Sequence, residues 1–208
     1  MEYLDTYDEQ GNFVKKEDRK IVHQLGLWHN TVHCWLYDKE GNVYFQIRSD
    51  KKKLYTTASG HVQAGETIKE AFGREIEEEI GYKVDYEKAN FIAIVKFIMD
   101  RLENDGTIFK DRAFSNVYAL EYNDSMDKFD FDEKELSGIV KIDAKKTLEI
   151  LKKEKGFIEG TISYKEEGNI KIKKEKIYFE DFLVNPGETA IEKYGTVLEN
   201  ILKFIKKS

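Results

Sequence analysis

Between residues 60 and 81 the chain reads GHVQAGETIKEAFGREIEEEIG, which gathers Glu66, Glu70, Glu75, Glu77, Glu78 and Glu79 around one arginine, Arg74. Carboxylates three and four residues apart share a helix face, so Glu75, Glu78 and Glu79 point the same way. At ~100° per residue their mean direction lies about a quarter turn from the stripe of Ile68, Phe72, Ile76 and Ile80. The acidic patch therefore borders the buried face instead of opposing it. Three like charges in that position repel one another and cost stability unless a cation compensates. An all-oxygen donor set of this kind suits Mg²⁺ or Mn²⁺, ions that keep several waters and bind phosphate oxygens as well. Glu77 points away from the cluster and reads as solvated surface.

The elements that must position these groups follow from the flanking residues. Gly60, Gly65 and Gly81 permit tight turns and close backbone approach, so the loop before the helix can present carbonyls to a metal or amides to phosphate. Thr67 or Glu66 starts the helix and Gly81 ends it. Upstream, EYLDTYD-EQGN-FVKK and VHCWLYD-KEGN-VYFQIRS read as two hairpins, the second rich in β-branched and aromatic residues. Downstream, FIAIVKFIM and FSNVYALEY supply two strands. DAKKTLEILKKE then reads as a short helix capped by Asp143, and TISYKEEGNIKIKKEKIYF as a lysine-rich hairpin. Ile191, Tyr194, Leu198, Ile201, Leu202 and Ile205 trace a final amphipathic helix.

A chain of 208 residues and 24.4 kDa fits one domain with an elaboration better than two independent ones. The expected organisation is a single domain over 1–208, with a core of about 27–150 and residues 151–208 packed on it as an extension. A net charge of -6 and a pI near 5.4 give no electrostatic footprint for nucleic acid or an anionic membrane. The charged N-terminus lacks a leader-like apolar region and no stretch approaches a membrane span, so a cytoplasmic location is expected. Cys34 stands alone, which removes disulfides and cysteine-based zinc sites, and its place in an alternating strand makes it a small buried hydrophobe. A homodimer stays open.

The acidic stretch resembles the signature of the Nudix family. Gly60, five residues, Glu66, seven residues, then Arg74-Glu75-Ile76-x-Glu78-Glu79-x-Gly81 fill every fixed place, and only the final aliphatic place departs, being Tyr82. The resemblance implies an α/β protein with a mixed sheet in an α/β/α sandwich, to which the C-terminal hairpin and helix are added. It implies hydrolysis of a phosphoanhydride in a nucleoside di- or triphosphate or related nucleotide derivative, a small-molecule diphosphate substrate, by water activated on Mg²⁺ or Mn²⁺. Glu75, Glu78 and Glu79 would ligate the metal with help from the Gly60 carbonyl. Arg74 would hold a glutamate, Glu66 would brace the loop with Gly65 and Gly81 shaping its turns, and Glu78 or Glu75 would be the base.

The flanking segments LGLWHNTVHCWLYDKEGNVYFQIRSDKKK and FDFDEKELSGIVKI look like the branch of the family related to isopentenyl-diphosphate isomerase. That enzyme moves a proton with a cysteine and a glutamate, whose places here fall on Ser59 and Ala113; neither can replace a thiol or a carboxylate in proton transfer. An isomerase-like enzyme is thus the weaker alternative, and a non-catalytic nucleotide-binding module is another. His23, His29 and His61 correspond roughly to the isomerase's metal-binding histidines, which raises a second metal site or substrate hydrogen bonds, with Ala113 removing one carboxylate ligand. Arg48 lies where this branch contacts phosphate, and Trp28 is placed to stack a base or to join the core.

Overall fold

A computed structural model describes residues 1–185 and 188–206. The chain opens with the antiparallel hairpin β1 (Tyr3–Tyr7) and β2 (Phe13–Asp18), whose turn is closed by the Asp8 carboxylate accepting from the amides of Gln10 and Asn12. A short helix follows, α1 (Arg19–Leu25), too short to show a hydrophobic period in the sequence. Its signals are local: the Asp18 carboxylate accepts from the Lys20 amide at the start, and Gly26 takes φ +71° at the end.

The remaining elements are β3 (Trp28–Tyr37), β4 (Asn42–Arg48), β5 (Leu54–Tyr55), β6 (Ala58–His61), α2 (Ile68–Ile80), β7 (Asn90–Leu102), β8 (Ile108–Glu121), β9 (Leu136–Asp143), α3 (Ala144–Lys153), β10 (Phe157–Glu166), β11 (Asn169–Tyr178) and α4 (Ala190–Ile205). The described strands form one mixed sheet in which β3 and β8 run parallel and the other ladders are antiparallel. The two expected downstream strands, β7 and β8, pair with each other, and the expected lysine-rich hairpin is β10–β11.

Strand β3 organises the site. One edge carries the C-terminal part of β8, from His29 beside Ala113 to Tyr37 beside Glu121. The other edge is shared in turn by β1 at Trp28 and His29, by β6 from Thr31 to Cys34, and by β4 at Tyr37. The β3–β4 hairpin therefore opens beyond its turn. Thr57 spans the gap, its hydroxyl accepting from the Leu36 amide and donating to the Tyr44 carbonyl.

Alternation along these strands feeds two cores, as a period of two requires. Val32, Cys34, Leu36 and Tyr44 face α2, where Ala71, Phe72, Ile76 and Ile80 are buried. Trp35, Tyr37, Val43 and Phe45 face the opposite layer with Leu148, Leu151, Tyr194, Leu198 and Ile201 of α3 and α4. Residues from the C-terminal segment thus share a core with the central strands. Burying each such side chain stabilises by ~1.5–3 kcal/mol, which is what holds α4 against the sheet. Cys34 is buried, 2% exposed, and burial pushes its thiol pKa upward.

Candidate active site and its two clusters

The N-terminal end of α2 is built by local chemistry. The Thr67 hydroxyl accepts from the Glu70 amide while Glu70 accepts from the Thr67 amide, a reciprocal cap that fixes where the helix begins. Gly65 sits at φ +81° and Gly81 at φ +68°, and a Cβ on Gly81 would come within 2.8 Å of Asp130. These constraints bring Arg74 under the loop that follows β6.

Arg74 is the centre of the first cluster. Its Nε and Nη2 donate to the two oxygens of Glu66, both at 2.8 Å; Nη1 donates to Glu75 at 2.6 Å and Glu78 at 3.1 Å; Nη2 also donates to the His61 carbonyl at 2.9 Å. The expected role of holding one glutamate is therefore enlarged to three. Glu66 also accepts from the Gln63 amide at 2.9 Å. Burial raises the Glu66 carboxyl, but the Arg74 hydrogen bonds and the Gln63 amide outweigh it and hold the group below the usual carboxylate range. Hydrogen bonding to Glu66 in turn raises Arg74 above its ordinary value.

Glu75 and Glu79 lie deeper. Gly60 leaves room for this packing, because a Cβ there would fall on the Glu75 carboxylate and displace it. Burial raises the Glu75 carboxyl against the pull of Arg74. Glu79 accepts from the Ser59 amide at 2.8 Å and from Gln46 Nε2 at 3.3 Å. Burial nevertheless pushes it up to about 8, with the Ser59 amide opposing and the charges of Glu75 and Glu135 adding to the rise. Glu78 is the open member, its side chain 60% exposed. Glu77 is exposed and its only ion pair among the described residues is with Lys83, at 3.4 Å, outside the cluster.

Glu75, Glu78 and Glu79 with Gly60 line a cleft of about 800 Å³, alongside Gln46, Arg48, Ser59, His61 and Lys134. Burial and mutual repulsion leave these carboxylates short of positive charge, and the donors are all oxygen. The set fits a hard divalent cation. Arg48 lines the cleft, held by Asp50 at 2.9 and 3.1 Å. Trp28 does not: it is 9% exposed, stacked on Phe114 at 4.8 Å, and joins the packing.

The second cluster is neutral and largely buried. The ring nitrogens of His23, His29 and His61 converge within 4.8 Å. His23 Nδ1 lies 3.3 Å from the Lys110 carbonyl and His29 Nδ1 3.1 Å from the Leu27 carbonyl. A carbonyl only accepts, so each Nδ1 carries the proton and each Nε2 presents a lone pair. Burial lowers all three histidines, His23 to about 4. His29 Nε2 lies 3.5 Å from Asp111 Oδ1, and among the described residues both atoms are buried without a hydrogen-bond partner.

Asp111 was missed from the sequence. Ala113 does remove a carboxylate beside His29, as expected, but Asp111 lies two residues earlier on β8, hence on the same face, and supplies one. That period-two offset was the available signal. Ser59, the place of the isomerase cysteine, pairs with His33 and uses its amide on Glu79. The burial of Asp111 raises its carboxyl, while His29 opposes that rise.

A NUDIX domain family model matches residues 27–157. The chain is 29% identical over 204 residues to an uncharacterised Nudix hydrolase of Clostridium acetobutylicum, covering 93% of this chain and 92% of that one. It is 28% identical over 94 residues to the isopentenyl-diphosphate Delta-isomerase of Serratia proteamaculans, covering 43% of this chain and 52% of the isomerase. Among solved structures, the crystal structure of DR0079 from Deinococcus radiodurans matches with a TM-score of 0.52 and 22% identity, over 73% of this chain and 89% of that one. With the signature helix in place and the family model spanning more than half of its length, this chain belongs to the Nudix family.

Proposed function

We propose that the protein hydrolyses a phosphoanhydride in a nucleoside di- or triphosphate or related nucleotide derivative, with Glu75, Glu78, Glu79 and the Gly60 carbonyl holding Mg²⁺ or Mn²⁺. The observation that carries this is the single guanidinium of Arg74, anchored on Glu66, fixing Glu75 and Glu78 at the wall of the cleft. When bound, the cation neutralises phosphate charge and lowers the pKa of a water. Arg74 sets the side-chain directions of Glu75 and Glu78, so neither must be ordered when substrate arrives. Glu78 uses one oxygen on Arg74 and leaves the other open to the cleft, which suits it to take the proton of the attacking water. Arg48 and Lys134, which also line the cleft, offer positive charge to the phosphate oxygens.

A phosphate-release screen over nucleotides with Mg²⁺ tests the reading. Turnover should be abolished by Glu78→Gln and largely spared by Glu77→Gln. No turnover on any diphosphate would sink the hydrolase reading and leave the binding-module alternative, while allylic isomerisation of isopentenyl diphosphate would favour the isomerase one.

The paired bare atoms His29 Nε2 and Asp111 Oδ1 favour a second metal site, made by His23, His29, His61 and Asp111. Three imidazoles and a carboxylate suit a first-row transition ion better than Mg²⁺. Metal analysis after dialysis against Co²⁺ or Mn²⁺ should show one tightly held ion that His29→Ala releases.

A further inference from the structure

A second, mostly apolar pocket of about 270 Å³ lies where α4 crosses β3 and β7, walled by Trp35, Val95, Phe97, Tyr194 and Val197. His33 and Tyr55 line both this pocket and the diphosphate cleft, so the two share a wall. His33 pairs with Ser59 in the β3–β6 ladder, one residue from Gly60, and its ring stands edge-on to Tyr55 at 5.8 Å. Tyr55 in turn has the Arg48 guanidinium 5.9 Å from its ring centre and the Lys193 ammonium 5.3 Å away.

Lys193 is out of place for a structural lysine. Its side chain is 11% exposed, and its only ion-pair partner among the described residues is Glu188, at 3.5 Å. The His33 ring and the Tyr55 side chain stand on the wall of this pocket beside Lys193. Three polar groups thus border an apolar, aromatic-walled space, which is the make-up of a ligand pocket. Burial also holds Lys193 below the ordinary lysine range.

We propose that this pocket is the subsite for the organic group of the diphosphate substrate, a planar heteroaromatic base whose ring acceptors are read by Lys193 and His33. The assignment rests on the hydrolase reading and deepens it. The volume suits one base, the ring walls offer stacking, and an ammonium donor selects carbonyl or ring-nitrogen acceptors over an alkyl or prenyl group. The C-terminal segment then decides which diphosphate is accepted, because α4 supplies Lys193, Tyr194 and Val197.

The test compares kcat/KM for ADP and UDP with that for methyl diphosphate, in the full chain and in Lys193→Met and Val197→Phe. In parallel, Trp35 fluorescence is titrated with adenosine and uridine 5′-monophosphate in a Trp28→Phe background. The full chain should prefer the base-bearing substrates by at least about tenfold, the scale that stacking one base supplies. Both variants should lose most of that ratio through KM and lose the saturable quenching. An unchanged ratio and unchanged quenching in folded variants would overturn the proposal; if Val197→Phe fails to fold, Lys193→Met decides. Should no diphosphate be turned over, the hydrolase reading fails, and the quenching titration alone then supports or overturns the pocket.

Discussion

The Arg74 cluster and the histidine cluster meet at β6, where His61 gives its carbonyl to Arg74 and its ring to His23, yet they solve opposite electrostatic problems. In the first, a cation already sits among carboxylates, and a metal would finish a balance that Arg74 begins. In the second, burial keeps the rings neutral and leaves a carboxylate and a lone pair facing each other. One cluster is underneutralised in the open and the other is orphaned inside, so the same kinds of mutation should act on them with different signs.

The largest effect is expected at Arg74. Arg74→Ala strands three carboxylates and a carbonyl, two of the acids being only 14–15% exposed. Stability should fall by roughly 2–4 kcal/mol in urea unfolding, with hydrolysis lost. Gly60→Ala displaces the Glu75 carboxylate instead of removing its partner. It should keep the fold and lower kcat by roughly 10²-fold in steady-state assays, the scale of misplacing one catalytic group.

Asp111→Asn sharpens the contrast. An amide can donate to His29 Nε2, so the metal-free variant should gain roughly 1–2 kcal/mol in thermal unfolding while losing the second ion. A loss of stability in metal-free protein would refute the account of the orphaned pair. No equivalent gain is available at Arg74, where each partner is already bonded.

Glu79 predicts the pH dependence. Its folded pKa, about 8, exceeds its ordinary value of 4.5, so above 4.5 the native state binds a proton that the unfolded chain has released. Its contribution to the stability of the metal-free protein is fully present below pH 4.5 and is lost as pH rises through about 8. Added Mg²⁺ should restore the melting temperature most at the alkaline end, because it binds the deprotonated group. Glu79→Gln should flatten that slope. The smallest effect belongs to Glu77→Gln, expected within about 0.5 kcal/mol and with near-normal turnover.

The same contrast explains what could be read from the sequence. The carboxylate cluster is written along one helix and the loop before it, so spacing and the 3.6-residue period expose it, together with the Thr67 and Gly81 boundaries. The histidine cluster is gathered from α1, β3, β6 and β8, and its carboxylate depends on the parallel register that sets His29 beside Ala113. No local pattern reveals that register. Trp28 was ambiguous for the same reason, since only the β3–β8 ladder shows that Phe114 takes its face. Lys193 left no signal at all, because a lysine among alternating charges reads as surface until α4 is folded over β3.

That parallel ladder also sets the order in which the molecule can assemble. The capped helix α2 and the β7–β8 hairpin close over short loops, whereas pairing β3 with β8 joins segments about 84 residues apart, as with Thr31 and Ser115. Such long-range closure is entropically late and slow. Asp111 therefore reaches His29 only near the end of folding, and an ion held there should slow unfolding while leaving the folding rate almost untouched. Its contribution to persistence would be kinetic, a longer native lifetime instead of a faster arrival.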